Sequence, residues 1–266
     1  MPGWNDEQTA QKYDDYTKAY SSYQETSSDL VRLAEVSHNH QVVDLACGTG
    51  ITSQALLNIL GESGHIYAVD LAPAMLAVAM KNIQASNISF HQGAAEAVHE
   101  LIPQPVDRVV CNSAFWQTNG DKTLQSLRNL LKLEGTFTFN IPDTFSPIVD
   151  EKEQTINLRV LMRQVAQEEF GLTFETPLGE RRHSTFSTDN VKQLLERNGY
   201  QLIHHERIVY QESRPSAWAF CAIPVMTERT LPGVDYETRM KVLECAYKRM
   251  ETTNDDNSGW DYYVVR

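Results

Sequence analysis

The chain has only four cysteines in 266 residues, Cys47, Cys111, Cys221 and Cys245. They lie far apart, form no CxxC pair and fall in or beside apolar segments, a pattern that argues against a disulfide or zinc framework and reads as buried free thiols with no metal site. Positive charge is also scarce. Lys and Arg number 23 against 35 Asp and Glu, for a formal net charge of −12, and the only tight basic cluster is Arg181, Arg182, His183. A polyanion would be repelled, so nucleic acid is not expected as a partner. No run approaches the roughly 18 apolar residues of a membrane span. The N-terminus, "MPGWNDEQTAQKYDDY", lacks the basic and apolar regions of a secretory signal. These absences predict a soluble, cytoplasmic chain with no membrane partner. Nor does any proline-rich or low-complexity linker interrupt it, so one domain over 1–266 is expected, as a monomer or homodimer.

What is present, between residues 41 and 141, is a rhythm. Short β-rich runs ("QVVDL", "HIYAVD", "ISFH", "VDRVVCN", "GTFTFNI") alternate with helical patterns ("TSQALLNIL", "PAMLAVAMKNI", "KTLQSLRNLLK"). This is the signature of βαβ units, and it predicts an α/β fold with a mostly parallel, Rossmann-like seven-stranded sheet covered by helices on both faces. Gly61 and Gly64 close the first of these helices, and Pro73 stands where a first-turn proline is tolerated. After residue 142 a long polar and amphipathic stretch, 143–186, precedes "STDNVKQLLERNG", a helix with Ser187 or Thr188 as N-cap. "YQLIHHERIVY" and "SAWAFCAIP", joined by the short "QESRPS", are expected to close the sheet as an antiparallel hairpin. A terminal helix is expected over 235–251. The segments are thus an N-terminal cap (1–36), a ligand-binding core (37–142), an insertion (143–186), the end of the core sheet (187–225) and a C-terminal helix and tail (226–266).

The stretch "QVVDLACGTGITSQ" carries the most chemistry. It is a strand-to-helix turn at the carboxyl edge of a parallel sheet, where ligands bind. Gly48 and Gly50 let a ligand approach bare backbone, and the helix that follows offers unpaired N–H groups. Asp44 would repel a pyrophosphate but suits a ligand with an ammonium group. Asp70, twenty residues after Gly50 at the end of the second strand, stands where an acid accepts hydrogen bonds from ribose hydroxyls. A ribosylated ligand with a cationic end is described, and S-adenosylmethionine fits it.

On these residues the sequence resembles the class I S-adenosylmethionine-dependent methyltransferases, small-molecule branch, over about residues 10 to 225. "VVDLACGTG" matches the family's glycine motif, with Ala46 at the first glycine position, and "YAVDLAPAML" matches the acid that follows it, placing Leu71 and Met75 beside the cofactor. The resemblance implies methyl transfer from S-adenosyl-L-methionine, with S-adenosyl-L-homocysteine as product. One departure stands out: where the family usually shows Gly-Asp-Ala, "HQGAAEAV" has Ala94. The aspartate's adenine contact is then either lost or passed to Glu96, with backbone N–H groups around Ala94 and Ala95 left to hold the ring edge. After the fourth strand, "CNSAFWQTNG" brings Asn112, Ser113 and Gln117 to the cofactor and Phe115 and Trp116 to the start of the acceptor site. Trp116 reads equally as a core residue.

In "KYDDYTKAYSSY", Tyr13, Tyr16, Tyr20 and Tyr23 run along one face of an expected helix. The resemblance makes this helix a cofactor cover, with Tyr20 on the cofactor and Tyr13 and Tyr16 near the acceptor; a stripe that merely docks on the sheet is the equal alternative for Tyr16 and Tyr23. It also makes 143–186 a substrate lid, where His183 is either a general base or a solvated loop histidine. The expected activity is transfer of a methyl group to a small, apolar or aromatic acceptor of specialised metabolism, through oxygen, nitrogen or carbon. Two alternatives are a nicotinamide-dependent oxidoreductase, disfavoured by Ser53 at the third glycine position, and a non-catalytic protein that binds the same cofactor.

Overall fold

The computed structural model describes residues 3–142, 158–175, 187–250 and 256–266. Its centre is a seven-stranded sheet in the order β3-β2-β1-β4-β5-β7-β6. The strands are β1 (Gln41–Leu45), β2 (His65–Asp70), β3 (Ile88–Gln92), β4 (Val106–Cys111), β5 (Leu131–Pro142), β6 (Leu202–Glu212) and β7 (Asp256–Val265). The first five are parallel, and β7 runs antiparallel to both β5 and β6. Eleven α-helices surround it among the described residues: α1 (Glu7–Ala19), α2 (Ser22–Leu33), α3 (Ile51–Leu60), α4 (Pro73–Asn82), α5 (Val98–Leu101), α6 (Gly120–Leu130), α7 (Leu158–Glu168), α8 (Thr188–Arg197), α9 (Arg214–Cys221), α10 (Pro224–Thr230) and α11 (Tyr236–Arg249). None of them is long and apolar enough to cross a membrane.

Local chemistry sets the boundaries. Pro73 occupies the first turn of α4, where its missing N–H costs nothing. Side chains of Asn119, Ser187 and Asp235 accept from backbone N–H groups three residues on and start α6, α8 and α11, each cap contributing about 1 kcal/mol. Strand alternation divides the core. Val43, Leu45, Val109, Phe137, Phe139 and Tyr263 face one side with α6 and α8, and Val42, Ile66, Ala68, Val110 and Tyr262 face the other with α2 and α3, as the period of two requires.

The sheet ends differently from the expected hairpin. β6 forms, but its antiparallel neighbour is the last strand of the chain, β7, and the segment 216–224 is not a strand: residues 214–221 are α9. Ser213 accepts from the Ser216 N–H and Pro215 lies in the first turn, two start signals that commit the segment to a helix. β7 inserts between β5 and β6, so its Trp260, Tyr262 and Val265 pair on both sides. The expected single tyrosine helix is two. α1 ends at Tyr20, whose backbone is extended (φ −126°, ψ 138°), and Tyr23 belongs to α2.

The remaining helices form a cap over the carboxyl ends of β1, β2 and β4. α7, from the insertion, packs with α9 and α11 through Leu158, Met162, Val165, Cys221, Val242 and Leu243. Tyr16 of α1 packs on Ile223, Val225 and Met226 around α10, while Ala10 of α1 meets Ala72, just before α4, and Met75 of α4. The cap therefore joins residues from both ends of the chain and from its middle.

Candidate active site

Between sheet edge and cap lies a cavity of about 730 Å³. Its floor begins at the β1–α3 turn. Ala46, Gly48 and Gly50 all have positive φ, 58°, 56° and 93°. The left-handed backbone of Gly50 favours glycine there, and a Cβ would also come within 2.7 Å of Ile83 Cδ1 and push the end of that side chain aside. Ala46 tolerates the same left-handed region at some cost. Asp70 ties the turn down: its Oδ2 accepts from the Gly48 N–H and its Oδ1 from the Ala72 N–H, both at 2.8 Å. Each carboxylate oxygen has a second lone pair, so both remain able to accept from a ligand in the cavity that Asp70 lines. Burial holds the Asp70 carboxyl above its ordinary range, although the backbone bonds to Ala72 and Gly48 pull it down.

Asp44 sits one layer lower. Its side chain is 1% exposed and does not line the cavity, and Ser53 Oγ donates to its Oδ2 at 2.6 Å. Burial is the largest cause of a carboxyl pKa raised to about 7, with the charge of Asp70 adding to it. Ser53 thus has a defined task at the third glycine position: it satisfies a buried acid.

The side walls come from the ends of β3 and β4. Gly93, Ala94, Ala95 and Glu96 line the cavity, and Glu96 Oε1 also accepts from the Asn119 N–H at 2.7 Å. Asn112, Ser113, Trp116 and Gln117 line it too. Ser113 has φ 57° and is held there by Asn140, whose Oδ1 accepts from the Ser113 N–H at 2.7 Å; Asn140 in turn donates to Asn112 at 2.9 Å. Trp116 satisfies both of its readings. It is 7% exposed within the core cluster, its Nε1 donates to the Ser113 carbonyl at 2.9 Å, and it still forms cavity wall.

The roof is aromatic. Tyr13, Tyr16 and Tyr23 line it with Phe220 and Trp260, and Tyr13 and Tyr23 meet edge to face at 5.5 Å. Burial raises the hydroxyls of Tyr13, Tyr16 and Tyr23 above the usual tyrosine range, so all three are neutral donors at physiological pH.

Four expected site residues are placed elsewhere. Tyr20 does not line the cavity: the chain turns out of helix there, and its ring packs on Tyr16 at 5.5 Å. Phe115 is fully buried against Phe137 and Phe139, 5.3 and 4.6 Å away, because it enters the core beneath the turn that presents Trp116. Gly50 and Asp44 support the turn from behind without forming wall. His183 lies outside the described residues. Tyr13, Tyr16, Ala46, Gly48, Asp70, Leu71, Met75, Ala94, Ala95, Glu96, Asn112, Ser113, Trp116 and Gln117 all converge on the cavity.

The structure adds walls that sequence reading did not assign. Trp4 and Arg229 come from opposite ends of the chain. The Arg229 guanidinium lies 5.5 Å from the Trp4 ring and 5.7 Å from that of Trp116, and donates to Gln117 at 2.8 Å. Leu158 and Arg159 reach in from α7, and Tyr210 and Glu212 from the end of β6. None of these carried a sequence signal: Glu212 fell in the connection "QESRPS" of the expected hairpin, and it ends β6 only in the structure.

A glycine turn, a strand-end acid and a capped cavity on this sheet decide the family. Residues 37–206 match the methyltransferase domain model. The chain belongs to that family, and the resemblance to class I S-adenosylmethionine-dependent methyltransferases holds. Among curated relatives it is 30% identical over 146 residues to malonyl-[acyl-carrier protein] O-methyltransferase of Bacillus cereus, covering 54% of this chain and 49% of the relative. It is 30% identical over 113 residues to the ubiquinone/menaquinone biosynthesis C-methyltransferase of Pectobacterium carotovorum, covering 40% and 43%. The chain thus spans about half the length of the curated relatives it matches. A solved S-adenosylmethionine-dependent methyltransferase from Thiobacillus denitrificans, in complex with S-adenosyl-L-homocysteine, shares the fold with a TM-score of 0.55 at 15% identity over 91% of this chain and 90% of that one.

Proposed function

We propose that this protein transfers a methyl group from S-adenosyl-L-methionine to a small acceptor held between the sheet edge and the cap helices. One observation carries the reading: a single cavity joins the Asp70-anchored glycine turn to an aromatic roof. The residues present fit the cofactor. Asp70 would accept its ribose hydroxyls, and backbone at Ala94 and Ala95 together with Glu96 would meet the adenine, while Asp44 beneath the turn supports it through Ser53. When bound, the cofactor supplies a methyl carbon made electrophilic by a sulfonium.

The chain's own contribution is to position the acceptor and exclude water. Rings of Tyr13, Tyr16, Tyr23, Trp116 and Phe220 suit both a cation and an apolar or aromatic acceptor. The two curated relatives carry names with different acceptors, a carrier-bound malonyl group and a quinone precursor, so the shared core does not select between them. The family match ends at residue 206, and Glu212, Phe220, Met226 and Arg229 of the wall lie beyond it. Acceptor choice is therefore assigned to the cap.

The test is a labelling screen. Methyl-labelled cofactor is offered with pools of phenols, indoles, amines and carboxylic acids beside acyl-carrier protein, tRNA and histones. Label is expected in a small-molecule pool. Preferential label in the macromolecules would contradict the reading, and S-adenosyl-L-homocysteine binding without transfer to any pool would favour a non-catalytic cofactor binder.

A further inference from the structure

Among the described residues three that are not glycine take a left-handed backbone, Glu35, Ala46 and Ser113, the last with φ 57°. A serine prefers ordinary backbone by roughly 5- to 30-fold, and such strain persists where the surroundings over-determine it. At Ser113 the surroundings are Asn140, near the end of β5. Asn140 is fully buried and does not line the cavity, yet both ends of its amide bond to residues that do. Its Oδ1 accepts from the Ser113 N–H at 2.7 Å, and its Nδ2 donates to Asn112 Oδ1 at 2.9 Å. A backbone N–H can only donate, so every amide in the network has a defined orientation. The Asn112 Nδ2 is left to face the hydroxyls of α2 and α3, Ser27 Oγ at 2.9 Å and Thr52 Oγ1 at 3.3 Å, both buried and bonded to each other at 2.9 Å. The Tyr262 hydroxyl of β7 is a further neighbour of the Asn140 amide. Burying an amide costs stability unless its bonds are made, and here they are made to the dipeptide that opens a wall of the cavity.

We propose that Asn140 is a positioning residue for the ligand of the cavity: without touching that ligand, it keeps Ser113 left-handed, and this conformation sets Ser113 and Trp116 as wall. The inference rests on the methyltransferase reading for the identity of the ligand. Trp116 depends on Ser113 because its Nε1 donates to the Ser113 carbonyl at 2.9 Å. Rotation of Ser113 into ordinary backbone would turn that carbonyl away and release the indole. With its N–H and carbonyl both engaged, Ser113 presents its hydroxyl to a ligand, beside the hydroxyl of Tyr23.

The experiment is a double-mutant cycle on the full chain, Asn140→Ala, Ser113→Gly and the two together, because glycine takes left-handed backbone without strain. The four tryptophans are labelled with 5-fluorotryptophan, the Trp116 resonance is assigned by its loss in Trp116→Phe, and S-adenosyl-L-homocysteine affinity is measured by calorimetry. Asn140→Ala is expected to shift the Trp116 resonance and to weaken binding about 10-fold. In the Ser113→Gly background the same substitution should leave the resonance where Ser113→Gly alone puts it and change affinity less than about 3-fold. An Asn140→Ala protein with wild-type affinity would overturn the proposal, whether or not the resonance moves. Equal losses in both backgrounds would overturn it too, since Asn140 would then serve the core at large. If circular dichroism shows Asn140→Ala unfolded, folding restored by Ser113→Gly supports the proposal and folding not restored overturns it. If wild type does not bind S-adenosyl-L-homocysteine, the methyltransferase reading falls, and the resonances alone decide whether Asn140 sets the wall.

Discussion

Two aspartates near the glycine turn do different work, and the difference is one of depth. Asp70 faces the cavity while two backbone N–H groups fix its rotamer; Asp44 is sealed under the turn with Ser53. Burial without a cationic partner raises the Asp44 pKa from 3.8 to about 7. Between those values the folded chain keeps the proton and the unfolded chain has lost it. Its stability contribution is therefore present at low pH and lost as pH rises from about 4 to about 7. Asp44→Asn keeps an acceptor for Ser53 and removes the titration. Denaturation at pH 4.5 and pH 8 should show the variant gaining on wild type at the higher pH, by an amount on the order of 4 kcal/mol at most. An unchanged difference between the two pH values would mean that Asp44 is ionised in the fold. At this scale the sequence was most informative about the turn, because "VVDLACGTG" determines its own backbone. It was least informative about Tyr20 and Phe115. Periodicity says that a ring lies on a face, not that the helix ends at Tyr20 or that the polypeptide rolls Phe115 inward and Trp116 outward.

The elements that matter most to the site are those that connect the cap to the turn. On α1, Asp14 is 3% exposed and accepts from Asn82 Nδ2 at the end of α4 and from Lys18 Nζ, both at 2.7 Å. Asn82 Nδ2 also reaches the Thr49 carbonyl at 3.3 Å, inside the glycine turn. Asp14→Ala should therefore cost about 1–3 kcal/mol of stability and weaken S-adenosyl-L-homocysteine binding about 3- to 10-fold although Asp14 never touches the cavity. Calorimetry and urea denaturation on the same protein give both numbers; unchanged affinity would show that the cap and turn are independent. The βαβ core was legible in sequence because each strand and helix carries its own period and caps. The sheet's last strand was not assigned. "SAWAFCAIP" is a short apolar run that reads as strand or helix, and only the start signals Ser213 and Pro215 separate the two. "WDYYVV" has the β-branched and aromatic composition of a strand, yet its pairing with β5 and β6 is a long-range event that no local pattern announces.

For the whole molecule, the cavity is an assembly of distant segments. Trp4, Tyr13, Asp70, Trp116, Arg159, Glu212 and Arg229 come together only when α1, the insertion helix α7 and the C-terminal helices close over the sheet edge. This explains why the walls near the glycine turn could be read from one motif while the roof could not: the former are local to strand ends and the latter is built by tertiary packing. On the proposed function, the family core presents the donor and the cap selects the acceptor. The claim on which all else rests is that Asp70 and the glycine turn hold the nucleoside of the cofactor. It is tested most directly by calorimetric titration of S-adenosyl-L-homocysteine into wild type and Asp70→Ala, with circular dichroism to establish that both are folded. Loss of the ribose contacts, leaving their partners unpaired, should cost about 2–3 kcal/mol, so the account predicts measurable binding by wild type and an affinity about 30- to 150-fold weaker in the variant. A folded Asp70→Ala protein with the wild-type dissociation constant would contradict it.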